Sequence, residues 1–254
     1  MVGGIEKFRE HFKGHENAYA IIGGAACDLL FTEAGLEFRA TKDIDMVLCV
    51  EVVDKEFGQA LKAFLDAGGY QARERSDGTK EYYRFHKPTD GNYPYMLELF
   101  ARKPGAIELP EDITVTKIPV DDDVLSLSAI LLEEGYYEAL QGAKRDADGV
   151  TIIDATMLVP FKARAFIDLS ERAQQGAKVD SKDIAKHRKD VFRIVQLLRK
   201  DAKVNVSEIM KKDLERFLAA DKQAGVLDLK ALKIAITHDE AVALIRSVYK
   251  LDVT

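Results

Sequence analysis

The chain has 254 residues, of which 47% are hydrophobic and 31% are charged. This composition is typical of a globular protein with one large or two modest domains, and it excludes a disordered chain. No run of about 18 apolar residues occurs, so we expect no transmembrane helix and no membrane partner. The formal net charge of -6 argues against a protein that coats nucleic acid nonspecifically.

The N-terminal segment and the cysteines indicate a compartment. Residues 1–19 are charged, follow a helical pattern and lack the apolar centre of a secretory signal. The two cysteines, Cys27 and Cys49, have neither a CxxC motif nor the spacing of a zinc site. We therefore expect buried, reduced thiols in a cytoplasmic protein.

The first part of the chain alternates between strand and helix patterns. Residues 17–23 form a short apolar run that predicts a buried strand, and residues 24–35 have a helical composition. Residues 43–50 are apolar and rich in strand-forming residues, which predicts a second strand. Apolar residues then recur at helical spacing over 54–69, where a helix is expected to end at a glycine pair.

A hairpin and another strand follow. Residues 70–87 read as two strands around an Asp-Gly turn, and residues 93–103 read as a further strand. Beyond this point the apolar residues follow a helical period up to the C-terminus. The sequence therefore predicts an α+β protein, with a mixed α/β domain of residues 1–120 and a helical domain of residues 121–254 that completes the active-site cleft.

Two aspartates interrupt the apolar strand of residues 43–50. Asp43 and Asp45 are two positions apart, so both side chains lie on one face of the strand. Two carboxylates so close repel each other unless a divalent cation binds them. The alternative interpretation is a strand end at which Asp43 caps a turn and Asp45 is solvated.

A glycine pair stands between the first predicted strand and the first predicted helix after it. Gly23 and Gly24 allow backbone N–H groups to approach a ligand, and the start of a helix favours a phosphate. Tight packing of strand against helix would explain the same pair. Neither a Walker loop nor a dinucleotide-binding fingerprint is present.

A third carboxylate interrupts the strand of residues 93–103. Glu98 lies between Leu97 and Leu99, where a lone glutamate would mark an exposed edge strand. Together with Asp43 and Asp45 it completes a set of three carboxylates. Such a set can hold one or two Mg²⁺ ions for an in-line attack on a nucleotide phosphate.

These motifs together resemble the DNA polymerase β-type nucleotidyltransferase superfamily. Its pattern is a glycine followed by glycine or serine, then an acidic pair on a strand, then an acidic residue on a later strand. In this chain the three parts read IIGG, KDIDMV and LEL. Within the superfamily the chain is most similar to the abortive-infection (AbiEii-like) nucleotidyltransferase toxins, through the segments RATKDID, LVPFKARAFIDL and KHRKDVFRIVQLL.

The resemblance implies roles for the acidic residues and the glycines. Asp43 and Asp45 would hold Mg²⁺. Glu98 would activate the acceptor hydroxyl or share a second metal. Gly23 and Gly24 would cradle the triphosphate of an NTP.

The resemblance also implies roles for basic residues. Lys162 would reach the triphosphate or the leaving pyrophosphate, and Asp190 would position that lysine or the acceptor. Without the resemblance, a lysine that extends along the surface and a solvated aspartate would explain these two residues. Arg39 and Lys42 flank the acidic pair and either contact phosphate or are solvated.

The implied reaction is the Mg²⁺-dependent transfer of an NMP from an NTP to an acceptor hydroxyl. The acceptor would be an RNA 3′ end such as tRNA, a protein side chain or a small molecule such as an antibiotic. The resemblance further implies a toxin with a separate antitoxin protein. The alternative is a non-catalytic nucleotide-binding or protein-interaction module of the same fold.

One segment has a charge opposite to that of the whole chain. Residues 178–216 contain 12 Lys and Arg against 7 Asp and Glu, a local charge of +5. This excess indicates either a basic surface for a phosphate-bearing partner such as RNA, or helices that alternate charges for solubility.

Overall fold

The structure is a computed structural model, and it describes residues 2–49, 55–76, 81–101, 115–117 and 134–252. The chain divides into two compact units. The first unit consists of Met1–Val120 and Lys144–Asp154, and the second consists of Asp121–Ala143 and Ala155–Thr254. The α+β class predicted from the sequence is confirmed, because the first unit contains a mixed sheet and the second is helical.

The described part of the first unit contains an eight-stranded mixed sheet with the order β6-β3-β4-β5-β2-β1-β8-β7. The strands are β1 Tyr19–Ile22, β2 Asp43–Leu48, β3 Gln71–Ser76, β4 Glu81–His86, β5 Met96–Ala101, β6 Val115–Lys117, β7 Lys144–Ala147 and β8 Val150–Ile153. The Asp-Gly pair predicted as the turn between β3 and β4 lies outside the described residues, but the two strands pair antiparallel as expected.

The central strands carry the apolar core of the first unit. Strand β2 pairs antiparallel with β1 and parallel with β5. Ile44 and Met46 of β2 are fully buried, as are Leu97 and Leu99 of β5. The apolar side chains of β2 therefore pack into the core on the face opposite to the predicted acidic pair.

The described part of the first unit also contains the α-helices α1 Ile5–His11, α2 Gly23–Glu33 and α3 Lys55–Gly68. Helix α1 packs on α3 through aromatic rings, with the centroid of Phe8 5.9 Å from that of Phe64. Phe12 lies 5.3 Å from the same ring. This aromatic cluster is buried and forms part of the core.

The β7–β8 hairpin differs from the predicted division of the chain. We assigned residues 121–254 to a helical domain, but residues 144–154 extend the sheet of the first unit, where β8 pairs parallel with β1. Asp148 and Gly149 form the turn with φ of 52° and 79°. These left-handed conformations suit an Asp-Gly pair, and the following run of β-branched residues is buried against the sheet.

The second unit contains the helices α4 Glu134–Gly142, α5 Ala155–Gln174, α6 Ser181–Val195, α7 Glu208–Gln223 and α8 His238–Tyr249. Side chains cap several helix starts, as when Asp180 accepts from the backbone N–H of Lys182. The predicted capping box of Thr237 and Glu240 is present at the start of α8. In the part of the chain described, no helix has the length and apolar character needed to cross a bilayer.

Buried ion pairs tie the helices of the second unit together. Asp213 of α7 accepts hydrogen bonds from Arg164 of α5 at 2.8 Å and from the hydroxyl of Tyr136 of α4 at 3.0 Å. Asp221 accepts from Arg188 of α6 at 2.7 Å and contacts His238 of α8 at 2.9 Å. Both aspartates are buried, so these polar contacts are needed to offset the loss of hydration.

Candidate active site

The glycine pair lies directly against the acidic pair. Ile22, the last residue of β1, is the register partner of Asp45 on β2. Helix α2 begins immediately afterwards at Gly23, whose φ is +66°. A Cβ atom at Gly23 would lie 2.0 Å from Oδ2 of Asp45, so only glycine permits this approach of helix start and carboxylate.

The start of α2 has no polar cap from its own N-cap residue. That residue is Ile22, which cannot accept a hydrogen bond through its side chain. The first N–H groups of a helix lack partners within the helix, and the helix dipole makes this end favourable for negative charge. The start of α2 next to Asp45 thus combines backbone donors with a neighbouring carboxylate.

The segment before β2 also packs on the glycine pair. A Cβ atom at Gly24 would lie 2.9 Å from Oγ1 of Thr41 and 3.5 Å from Nη2 of Arg39. The Arg39 guanidinium is also positioned 5.2 Å from the ring centroid of Phe38. The side chain of Lys42 is exposed, whereas its carbonyl accepts the backbone N–H of Tyr95 at 3.1 Å.

Thr41 is a further residue of this site that was not among the residues predicted from the sequence. Its contact with Gly24 holds the segment before β2 against the start of α2. The signal was present in the segment RATKDID, where a hydroxyl residue stands two positions before the first aspartate. Arg39, Thr41 and the glycines therefore form one local cluster around the acidic pair.

Asp43 and Asp45 share one face of β2. Both are partly exposed, while Ile44 between them and Met46 after them are fully buried. The period of two in a β-strand produces this alternation. The two carboxylates are therefore accessible to solvent and to a ligand.

Glu98 continues this acidic row onto the next strand. It is the register partner of Asp45 in the parallel β2–β5 pair, so the two carboxylates lie on the same face of neighbouring strands. Glu98 is 6% exposed, and its Oε1 accepts from Nε and Nη2 of Arg84 at 2.8 Å and 2.7 Å. Arg84 is the register partner of Glu98 on β4 and was not among the candidate site residues.

These residues fit an open magnesium site better than a closed one. Among the described residues, no group of three or more carboxylate, histidine or cysteine side chains lies close enough to hold an ion. Mg²⁺ commonly uses one or two carboxylates and takes its remaining ligands from substrate phosphates and water. Asp43 and Asp45 supply the one or two carboxylates of that donor set, and Glu98 forms an ion pair with Arg84.

Lys162 and Asp190 are brought together in the second unit. Nζ of Lys162 on α5 lies 3.8 Å from Oδ2 of Asp190 on α6. Asp190 is fully buried, and its Oδ1 also accepts from Nη1 of Arg193 at 3.1 Å. Lys162 is only 7% exposed, so the alternative interpretation as a surface lysine is wrong.

Much of the basic segment of residues 178–216 is neutralised within the second unit. Half of its 12 basic residues form ion pairs among the described residues, namely Lys186, Arg188, Arg193, Arg199, Lys211 and Arg216. Arg188 is largely buried against Asp221 and is a structural residue. Exposed lysines such as Lys182, Lys200 and Lys212 remain as candidates for a phosphate-bearing partner.

No protein-family model matches the chain, and no curated protein matches its sequence. A solved structure of an antigenic nucleotidyltransferase-like protein from Paracoccidioides brasiliensis aligns with 91% of this chain and 85% of its own, at 18% identity and a TM-score of 0.41. An alignment with these values does not establish a shared activity, so the residues described above are what support a function.

Proposed function

We propose that the protein is an Mg²⁺-dependent nucleotidyltransferase, which transfers an NMP from an NTP to an acceptor hydroxyl and releases pyrophosphate. The contact of Gly23 with Asp45 is the observation that supports this most strongly. It places the start of a helix, which favours phosphate, beside a carboxylate that can bind a cation. Tight packing alone would not require a charged group at this position.

Asp43 and Asp45 would hold the ion. Bound Mg²⁺ would neutralise negative charge on the transferred phosphate and on the leaving group. The first backbone N–H groups of α2, which begins at Gly23, would bind the triphosphate. Arg39 lies beside Gly24 and would add a planar donor group for the same phosphates.

The remaining predicted residues would act on the acceptor and the leaving group. Glu98 lies next to Asp45 in the sheet and would accept the proton of the acceptor hydroxyl. Lys162 would neutralise charge on the pyrophosphate, and its contact with Asp190 restricts its position. Lys42 projects into solvent and would contribute a long-range positive charge only.

We favour an RNA 3′ end such as tRNA as the acceptor because of the local positive charge of residues 178–216, and the resemblance implies a toxin–antitoxin pair in the cytoplasm. Exposed lysines of the second unit support a phosphate-bearing acceptor, although ion pairs within the unit take up half of the local basic residues. A small-molecule acceptor and a non-catalytic nucleotide-binding module are the competing proposals.

The transfer of labelled NMP tests the proposal. Wild-type protein, each labelled NTP and total RNA should yield labelled RNA in the presence of Mg²⁺. Asp45→Asn should abolish the label. Undiminished transfer by Asp45→Asn would refute the metal role, and labelling of protein instead of RNA would identify a different acceptor.

A further inference from the structure

A row of three charged residues crosses β2, β5 and β4. It differs from a two-metal site because one member of the row is an arginine. Asp45, Glu98 and Arg84 are successive register partners on these three strands. Neighbouring strands are about 4.8 Å apart, so two adjacent negative groups are followed by one positive group at short range. An arginine stands where a second cation would otherwise be needed to offset Glu98.

Two nitrogen atoms of the Arg84 guanidinium contact a single oxygen of Glu98. Nε and Nη2 of Arg84 lie 2.8 Å and 2.7 Å from Oε1. The Arg84 side chain is 18% exposed and that of Glu98 is 8% exposed, so water screens the pair only weakly. Charge-assisted hydrogen bonds of this length are strong, so Arg84 restrains the Glu98 carboxylate through Oε1.

We propose, as a refinement that rests on the proposed function, that Arg84 is a positioning residue which keeps Glu98 out of the metal-ligand set. Its guanidinium takes the place of a second metal ion beside Glu98. A single Mg²⁺ ion at Asp43 and Asp45 is then enough for the proposed nucleotidyl transfer. Glu98 would then act on the acceptor hydroxyl with its carboxylate restrained by Arg84.

This arrangement has two consequences for the affinity for Mg²⁺. Glu98→Gln should lower the affinity far less than Asp45→Asn does, because it removes a nearby negative charge but no ligand of the ion. Arg84→Met should raise the affinity by roughly tenfold, because it removes a nearby positive charge and releases a carboxylate beside Asp45. The double variant Arg84→Met/Glu98→Gln should then bind Mg²⁺ less tightly than Arg84→Met.

The experiment is calorimetric titration of each folded variant with Mg²⁺ alone, with stoichiometry and affinity measured and circular dichroism as the check of folding. Arg84→Lys is the matched variant, since it retains the positive charge and should bind Mg²⁺ like wild type. Arg84→Lys also tests the inference if Arg84→Met does not fold, because binding of two Mg²⁺ ions per chain by Arg84→Lys would contradict it.

Two outcomes separate this inference from the proposed function. A loss of affinity in Glu98→Gln as large as that in Asp45→Asn would overturn the inference, since Glu98 would then be a ligand in spite of Arg84, while the proposed nucleotidyl transfer would stand. Unchanged Mg²⁺ affinity in Asp45→Asn would instead overturn the proposed metal site itself. A wild-type stoichiometry of two ions per chain would also contradict the replacement of one ion by Arg84.

Discussion

Oδ2 of Asp45 lies so close to Gly23 that a Cβ atom at the glycine would be 2.0 Å away. The last residue of β1 is the register partner of Asp45, so the sheet itself brings the start of α2 to the acidic pair. The helix start and the carboxylate therefore act as one structural feature. A change to either should affect the other.

Gly23→Ala tests this relationship. The positive φ of Gly23 costs a non-glycine residue about 1–2 kcal/mol, and the new Cβ would also displace Asp45. We expect a loss of stability and of Mg²⁺-dependent NTP binding, measured by denaturant unfolding and by calorimetry.

Gly35→Ala is the matched control for this change. Gly35 has a φ of +68°, and no atom lies within 4 Å of the position of its Cβ. The Gly35→Ala variant should lose a similar amount of unfolding free energy but retain NTP binding. Equal NTP binding by the two variants would show that Gly23 matters only for its backbone conformation.

Lys162→Met should strongly reduce kcat/KM for nucleotidyl transfer while the protein remains folded. Removal of the ammonium leaves Asp190 buried, but Arg193 still donates to Asp190. We expect the free energy of unfolding to fall by about 1–3 kcal/mol, with a larger relative loss in kcat/KM for the NTP.

Lys186→Met provides the comparison for Lys162→Met. Nζ of Lys186 lies 3.7 Å from Asp183, a separation like that of Lys162 and Asp190, but this pair is partly exposed. Lys186→Met should change the free energy of unfolding by less than about 1 kcal/mol and leave nucleotidyl transfer unchanged. A normal kcat/KM in Lys162→Met would remove that lysine from the site.

Arg188 and the exposed lysines should respond differently to charge reversal. Arg188→Glu would place a second negative charge beside buried Asp221, and we expect a loss of several kcal/mol, about 3–5, in unfolding free energy. Lys182→Glu/Lys212→Glu should leave stability near wild type, since both side chains are exposed.

The same double variant tests the RNA acceptor. If RNA lies against these lysines, its affinity should fall for all RNA sequences, and the dependence of affinity on salt should become weaker. Filter binding of labelled tRNA at several salt concentrations measures both quantities. Unchanged affinity and salt dependence would assign these lysines to solubility alone.

The capping box of α8 predicts a pH dependence of stability. The backbone N–H of Thr237 donates to Glu240 at 2.7 Å, and this hydrogen bond lowers the pKa of Glu240. The contribution of Glu240 to stability is therefore fully present above its unfolded-state pKa, about 4.3, and is lost as the pH falls through the lower folded-state pKa.

Two variants measure the capping box. Thr237→Ala should cost about 1 kcal/mol at pH 7, because the N–H of Glu240 loses its side-chain acceptor. Glu240→Gln should flatten the fall of unfolding free energy between pH 5 and pH 3, measured by urea unfolding. An unaltered pH slope in Glu240→Gln would show that the carboxylate does not contribute through its charge.

The sequence predicted the features that depend on local periodicity. The alternation in β2 predicted that Asp43 and Asp45 share a face, and the glycine pair was assigned to the junction of β1 and α2. The capping box was also predicted, because its two residues lie three positions apart on one helix. Each of these depends on neighbours within a few residues along the chain.

The features that depend on pairing between distant segments were not predictable in this way. The partnership of Arg84 with Glu98 requires the register of β4 and β5. The burial of Lys162 requires the packing of α5 against α6, and its pairing with Asp190 was predicted only through the resemblance, since the two residues lie on different helices. The β7–β8 hairpin was missed because strands of four residues are too short to stand out within a helical half.

The central claim is that the start of α2 and the acidic pair of β2 together bind a magnesium nucleotide. Calorimetric titration of wild type with each NTP, with and without Mg²⁺, tests it most directly, and Asp43→Asn/Asp45→Asn is the comparison. We predict binding of an NTP that requires Mg²⁺ and is absent in the double variant. NTP binding of equal strength in the folded double variant, or no binding of any NTP by wild type, would contradict the claim.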